Sequence, residues 1–368
     1  MSRARDLANL GADTTNLEDI SSAYSAGALS NRNKIINGAM TIDQRNAGAA
    51  ITTSGAPVDR WTVTNASDAA FSAQQDSVVP AGFTKSLKFT TTTADASLGA
   101  SQYAIARQGI EGYNIADLSW GTASAKPITI SFWVRSSLTG TFGAAMHNID
   151  FNRSFAFTYS ISLANTWEYK SVTIAGDTTG TWNTTNSVGI QLYFGLGVGT
   201  DFSVSAGSWA AGGYLSATGA VSVIGTLNAT WQITGVQLEA GDTATPFEHR
   251  SFGQELALCQ RYFQQFDVFP GVTFASFIGY YGGTNALSPV QRLSVPMRAS
   301  PTVSILNSSV QYYSFAGAWT GTTLFASVIS NEVYYIYCTS DADGRSKLMR
   351  NGSSGVGPNP IASFSAEL

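Results

Sequence analysis

Charge is scarce in this sequence of 368 residues: only 12% are Asp, Glu, Lys or Arg, about half the share in an ordinary soluble domain. Lys and Glu are the usual filler of solvated helix faces, so their shortage argues against long helices. The 20 Lys and Arg stand singly among 24 Asp and Glu, for a net charge of -4, and no basic run exists to attract phosphates. Nucleic acid is therefore not an expected partner. Histidine and cysteine are rarer still, with two of each. A Ser-His-Asp or Cys-His arrangement would have to use His147 in "MHNIDFN" or His249 in "PFEHRSFG", and neither comes with a nucleophile motif such as G-x-S-x-G. Cys259 and Cys338 are far apart and lack paired histidines, so they offer neither metal-ligand spacing nor a disulfide framework and read as free buried thiols. No cofactor and no metal are expected. The longest apolar run, around "VGIQLYFGLGVG", falls far short of the roughly 18 residues of a spanning helix, so membrane insertion is not expected. "MSRARDLANLGADTT" carries charges and no apolar segment, which does not read as a secretory signal.

What is abundant is Gly, Ser, Thr, Asn and aromatic residues, a composition that reads as all-β. From "KIINGAM" at Lys34 the pattern has a period of two. "VDRWTVTN", "SLKFT", "ITISFWVRS", "WEYKSVTIA", "VGIQLYFGL" and "WQITGVQLE" alternate in this way, separated by turn-rich clusters. Short strands at this spacing with no helical pattern between them predict a jelly-roll β-sandwich over residues 35–247. Residues 1–34 differ: "SRARDLANL" has helical spacing, and "TNLE" from Thr15 to Glu18 fits a capping box. Neither short helix has a wide apolar face, so the segment is expected to be either flexible or docked on a partner, for which residues 1–34 are the attachment segment. After the sandwich the period changes again. In "SFGQELALCQRYFQQF", Phe252, Leu256, Cys259, Phe263 and Phe266 recur at helical steps and predict a connecting helix over 248–266. That stripe admits two readings: a helix laid on a neighbouring domain, or an oligomer seam where copies of the chain meet. Residues 267–368 then read as a second, smaller β-domain, with "VTFASFIGYY", "VQRLSVPM", "PTVSIL", "TLFASVIS" and "EVYYIYCT" as strands and a tight hairpin around Asn331.

Candidates for chemistry are few. Asp59, Asp117, Asp150, Glu168 and Asp177 could in principle converge as a glycosidase pair, but each sits in a turn or strand-edge context where an acid caps or is solvated. No catalytic residue is expected. Trp61 and Trp167 read as packing, whereas Trp120, Trp182 and Trp209 in Gly- and Thr-rich loops are open to ligand contact. In "ISFWVRSS" the side opposite Phe132 and Val134 carries Trp133 and Arg135, and in "VGIQLYFGL" the corresponding side carries Gln191 and Tyr193. An aromatic plate beside amides and a guanidinium is what a sugar ring needs, because its apolar face stacks and its hydroxyls bond to planar polar groups. Trp133, Arg135, Gln191 and Tyr193 are therefore the expected glycan-binding face; the alternative is a second layer of packing.

"ALSNRNKIINGAMTIDQRN", "VDRW", "IEGYNIADLSWGTASAKPITISFWVRSSLTGTF", "NTWEYKSVTIAGDTTGTW" and "ITGVQLEAGDTATPFEHRSFGQELALCQRYF" resemble tailed-bacteriophage tail-fibre and virion appendage proteins over about residues 1–265. The order of strands is also similar to carbohydrate-binding jelly-roll modules of polysaccharide-degrading enzymes. Such modules often hold a structural calcium on two carboxylates; the matching places here are Thr41 and Thr234 or Gly235, so no metal is expected. The resemblance implies a non-catalytic virion protein, a tail fibre that binds polysaccharide of the host cell surface. It implies a homotrimer, other virion proteins held through residues 1–34, synthesis in the host cytoplasm and a final place on the tail or another external appendage. A capsid- or neck-attached fibre and a glycan-binding module of a degrading enzyme are the alternatives it leaves.

Overall fold

The structure is a computed structural model that describes residues 31–268, 273–276, 290–305, 310–314, 317–321, 324–328, 333–338, 348–351 and 359–368. The two short helices expected before residue 31 and the hairpin tip at Asn331 lie outside the described residues. The chain forms two compact units, residues 1–251 and 252–368. Both are built from β-strands.

The strands of the first unit, in chain order, are β1 (Gly55–Val58), β2 (Trp61–Ala66), β3 (Ala70–Asp76), β4 (Ser86–Thr93), β5 (Tyr103–Glu111), β6 (Ile128–Ser136) and β7 (Gly140–His147), followed by β8 (Ser154–Ile161), β9 (Glu168–Ile174), β10 (Val188–Val198), β11 (Ser203–Val204), β12 (Trp209–Ala210), β13 (Ser216–Ala217) and β14 (Thr230–Ala240). They make a seven-stranded sheet, ordered β1-β2-β5-β10-β7-β8-β12, and a five-stranded sheet, ordered β3-β4-β14-β6-β9. The pairings within both sheets are antiparallel, and the crossovers between sheets give the sandwich its jelly-roll character. The fold is thus the expected all-β sandwich.

The period-two pattern explains the core. Phe132 and Val134 of β6 point inward from one sheet, and Ile190, Leu192 and Phe194 of β10 meet them from the other, all fully buried. Phe194 sits at the centre, with ring centroids 5.1 Å from Phe132 and 5.7 Å from Trp231. Each such side chain contributes about 1.5–3 kcal/mol by leaving water. The indole N–H of Trp61 donates to the Asn37 carbonyl at 3.1 Å, and that of Trp231 to the Tyr159 hydroxyl at 3.1 Å, so these two large buried rings carry no orphaned donor.

Chain entry to and exit from the sandwich are tied together. The Glu248 carboxylate accepts the backbone N–H groups of Asn31 at 2.6 Å and Asn33 at 2.8 Å, and Arg250 donates to the Ile35 carbonyl at 3.0 Å. The boundaries expected at 34/35 and 247/248 fall inside this knot.

A second feature bears directly on function. Outward positions of the seven-stranded sheet are unusually small at Gly143, Ala145, Ala156 and Gly195, and the segment carrying β11 and β13 lies on them as a roof. A Cβ at Gly143 would lie 2.2 Å from the Ser216 hydroxyl oxygen and 2.8 Å from the Ala217 nitrogen, so only glycine admits this approach.

In the second unit, Phe263–Val268 pairs with Asn359–Ser365, which also pairs with Thr302–Ile305. Leu324–Val328 and Val333–Cys338 pair antiparallel on either side of the expected hairpin. The strands Val310–Ser314, Gly317–Gly321, Leu348–Asn351 and Asn359–Ser365 were not anticipated from sequence. The helix requires a correction. It runs only from Phe252 to Gln260, and Phe263 and Phe266, the last members of the expected stripe, belong to the strand that follows. The aromatic "YFQQF" favours extended backbone, and its ladder partner in Asn359–Ser365 satisfies the N–H and C=O groups that a helix would have used. Phe252 is exposed, Leu256 half-buried and Cys259 buried, so the five residues form no continuous helical seam.

Candidate functional site

The four residues expected to form one glycan face do not share a surface. Trp133 and Arg135 stand on the outer side of the five-stranded sheet, and Gln191 and Tyr193 on the outer side of the seven-stranded sheet, with the hydrophobic core between them. Alternation tells inside from outside on each strand but does not tell which sheet a strand joins, and that is why the sequence merged them. Trp133 is half-buried, its ring 5.5 Å from that of Tyr169, and a Cβ at Gly235 would lie 3.2 Å from its edge. Arg135 donates to the Asn165 carbonyl at 2.8 Å and to the Gln232 side-chain oxygen. Both are thus engaged with neighbours within the chain.

The other side differs. At the edge of the roof a cavity of about 260 Å³ opens, lined by Thr64, Tyr103, Ile105, Arg107, Phe151, Tyr193, Phe202, Gly213 and Leu215. Register explains how the sheet supplies its floor: Thr64 of β2 lies opposite Ile105 of β5, and Arg107 of β5 lies opposite Tyr193 of β10. Outward positions of β5 alternate as Tyr103, Ile105 and Arg107, between the inward Ala104 and Ala106. The roof supplies Phe202 and Leu215; the Phe202 ring meets that of Tyr103 edge-on at 5.2 Å.

Phe151 forms the remaining wall from the β7–β8 loop. Its φ of 54° is left-handed, an uncommon state for a bulky residue, and the residue is 52% exposed. The loop is held by Asn148, whose side chain donates to the Asn152 side-chain oxygen at 2.7 Å and to the Thr181 carbonyl at 3.0 Å. Phe151 covers His147, with ring centroids 4.4 Å apart, while Tyr193 stacks on His147 at 4.6 Å. His147 Nδ1 lies 2.6 Å from the Asn148 carbonyl and so donates to it, which leaves Nε2 as a buried acceptor with no partner among the described residues. Ser154, opposite His147 in the ladder, also has a buried hydroxyl without a partner among the described residues. Burial pushes the His147 pKa down to about 4, against the raising effect of its bond to Asn148 and with help from the Arg107 charge. The Tyr193 hydroxyl is pushed up to about 12 by burial, despite the neighbouring guanidinium.

The polar centre of the cavity is Arg107. Its Nη1 donates to Gln191 Oε1 at 3.0 Å, and the Tyr193 hydroxyl donates to the same oxygen. Aromatic rings, a fork of N–H donors and a threonine hydroxyl can together stack on and hydrogen-bond a polyhydroxylated ring. Of the residues expected to bind glycan, Tyr193 lines this cavity and Gln191 bonds its arginine; Tyr103, Arg107, Phe151 and Phe202 were not among them. The signal for two of them was present in "YAIARQ", where the outward side of an alternating strand carries Tyr103 and Arg107.

Four of the five candidate acids are held in structural bonds. Asp59 is buried and accepts from Gln44 and Arg45, and Asp117 pairs with Lys34 at 2.7 Å. Glu168 binds Lys170 at 2.7 Å and the N–H groups of Ser162 and Leu163. Burial alone would raise the Asp177 carboxyl, but the Arg153 guanidinium and the Trp182 indole N–H outweigh it and hold it below the usual carboxylate range. Asp150 is exposed on the Phe151 loop. Among the described residues no group of three His, Cys, Asp or Glu is placed to hold a metal ion. The loop tryptophans also need correction. Trp120, Trp182 and Trp209 pack edge-on against one another, with centroids 4.7–5.5 Å apart, and every one of their indole N–H groups is bonded inside the chain.

No family model and no curated protein matches this sequence. Among solved structures it is similar to the enzymatically active domain of tailspike protein 4 of bacteriophage CBA120, at 11% identity and a TM-score of 0.31 over 57% of this chain and 22% of that one. The likeness thus spans about a fifth of the tailspike chain. It is also similar to the family 11 carbohydrate-binding module of cellulosomal cellulase Lic26A-Cel5E of Clostridium thermocellum, at 11% identity and a TM-score of 0.28 over 56% of this chain and 100% of that one. TmCBM61 in complex with β-1,4-galactotriose is 12% identical, with a TM-score of 0.29 over 57% of this chain and 99% of that one.

Proposed function

We propose that this chain is a non-catalytic glycan-binding protein of a tailed-bacteriophage particle, a tail fibre that acts in host adsorption as a homotrimer. The observation that carries the binding site is the cavity on the outer face of the seven-stranded sheet, where Tyr103, Phe151, Tyr193 and Phe202 surround Arg107 and Thr64. Its size suits one or two sugar rings rather than a long chain. Rings already fixed by stacking lose little entropy on binding, so even a small site of this kind can be specific. A single site would bind weakly, and repetition around a particle would supply avidity. The place on a particle rests on the resemblance of "TPFEHRSFGQELALCQRYF" and the segments before it to tail-fibre proteins.

Incubating the full chain with surface polysaccharides of candidate hosts tests the reading in two parts. Retarded migration in polysaccharide-containing gels, with no new reducing ends, is the expected result. Sustained release of oligosaccharide would contradict the non-catalytic role, and absence of any retardation would contradict glycan binding. Mass spectrometry of purified particles tests the virion role separately.

A further inference from the structure

Arg107 is the feature of the cavity that glycan binding in general does not require. It is half-buried, it lines the cavity, and no acid lines the cavity with it. Among the described residues no carboxylate lies within ion-pair distance of it; its guanidinium donates instead to the neutral amide oxygen of Gln191. Four other arginines of the sandwich meet acids, Arg32 with Glu239, Arg45 with Asp59, Arg153 with Asp177 and Arg250 with Glu248; Arg135, like Arg107, donates to neutral oxygens, but it does not line the cavity. The field of Arg107 is felt by its neighbours, since it opposes protonation of His147 and favours ionisation of Tyr193. A cation removed from much of its water and left without a counter-ion is costly unless something supplies the negative charge.

We infer that the cavity selects an acidic sugar, a uronic or nonulosonic acid residue whose carboxylate sits on Arg107 while its ring stacks among Tyr103, Phe151 and Tyr193. The guanidinium has five N–H donors in a planar fork; Gln191 takes one from Nη1 and the Tyr193 hydroxyl also interacts with the guanidinium, so N–H donors remain for a carboxylate. Gln191 fixes that fork, because its oxygen also receives the Tyr193 hydroxyl and cannot turn away without stranding a buried donor. Lysine could not replace the arginine, since a point charge lacks the paired geometry. This inference rests on the glycan-binding reading above and narrows it to one chemical class.

The test is a panel of polygalacturonate, alginate, hyaluronan and polysialic acid, each paired with its carboxyl-reduced form, together with neutral glucans and galactans, titrated against the full chain. Within each pair the linkages are the same and only the carboxylate differs. The expected result is binding of at least one acidic polymer that falls roughly tenfold or more on carboxyl reduction, in Arg107→Gln and in Arg107→Lys. Thermal melting of both variants checks that they remain folded. Binding of neutral or reduced polymers as tight as that of the acidic ones would overturn the acidic preference while leaving glycan binding intact. Acidic polymers bound equally by the folded Arg107→Gln variant would show that the carboxylate is held elsewhere. Binding of none of the polymers, acidic or neutral, would count against both statements.

Discussion

At the scale of single residues, His147 shows what burial does to a group that the sequence presents as an ordinary loop histidine. Its ring is fully buried between Phe151 and Tyr193, and its pKa is pushed down to about 4. In the unfolded chain it titrates near 6.5. Between those two values the unfolded state binds the proton and the folded state does not, so stability falls as pH falls through that window. Compared with a His147→Phe variant, the wild type should therefore lose up to about 3 kcal/mol of relative stability between pH 7 and pH 4. Urea denaturation at a series of pH values measures this difference, and a pH-independent difference would mean that His147 is protonated or solvated in the folded protein. Neither neighbour of His147 was legible in the sequence. Phe151 is in a loop whose left-handed backbone depends on the Asn148 side-chain bonds, and Tyr193 is on a strand far away in the chain.

At the scale of elements, the roof over the seven-stranded sheet is made possible by what its outward positions omit. Gly143, Ala145, Ala156 and Gly195 leave room for Ser216 and Ala217, and the roof in turn brings Phe202 and Leu215 to the cavity. Gly143→Val should push the roof off the sheet and cost about 1–3 kcal/mol as overpacking does. Limited proteolysis should then cut within 203–217 while the two sheets stay folded; an unchanged digestion pattern would show that the roof is held by other contacts. Strand positions were readable because alternation marks a core face: β2 and β9 alternate in burial, whereas β6, β10 and β14 are buried at nearly every position and alternate only in which sheet face each side chain joins. Sheet membership was not readable, because it depends on long-range pairing, and Trp133 and Tyr193 were for that reason placed on one surface. The helix was overextended for a related reason: Phe263 and Phe266 keep helical spacing by chance while their backbone joins the ladder with Asn359–Ser365.

At the scale of the whole molecule, two β-rich units follow one another along the chain, and the proposed recognition site belongs to the first. Low charge and a scarcity of histidine and cysteine pointed away from catalysis and nucleic acid before any site was visible. They could not locate the binding face, since both outer faces of the sandwich carry aromatic residues. On the five-stranded sheet Trp133 and Arg135 are held by neighbours; on the seven-stranded sheet a cavity remains open beside an arginine that has no acid. The most direct test compares Phe151→Ala with Trp133→Ala, using the polysaccharide that the wild type binds best. Phe151 is half in solvent and packs little core, so its truncation should leave the melting temperature close to wild type and weaken binding roughly tenfold, or about 1.4 kcal/mol. Trp133→Ala should lower the melting temperature and leave affinity unchanged. Full affinity in Phe151→Ala together with lost affinity in Trp133→Ala would contradict this placement and return the binding face to the five-stranded sheet.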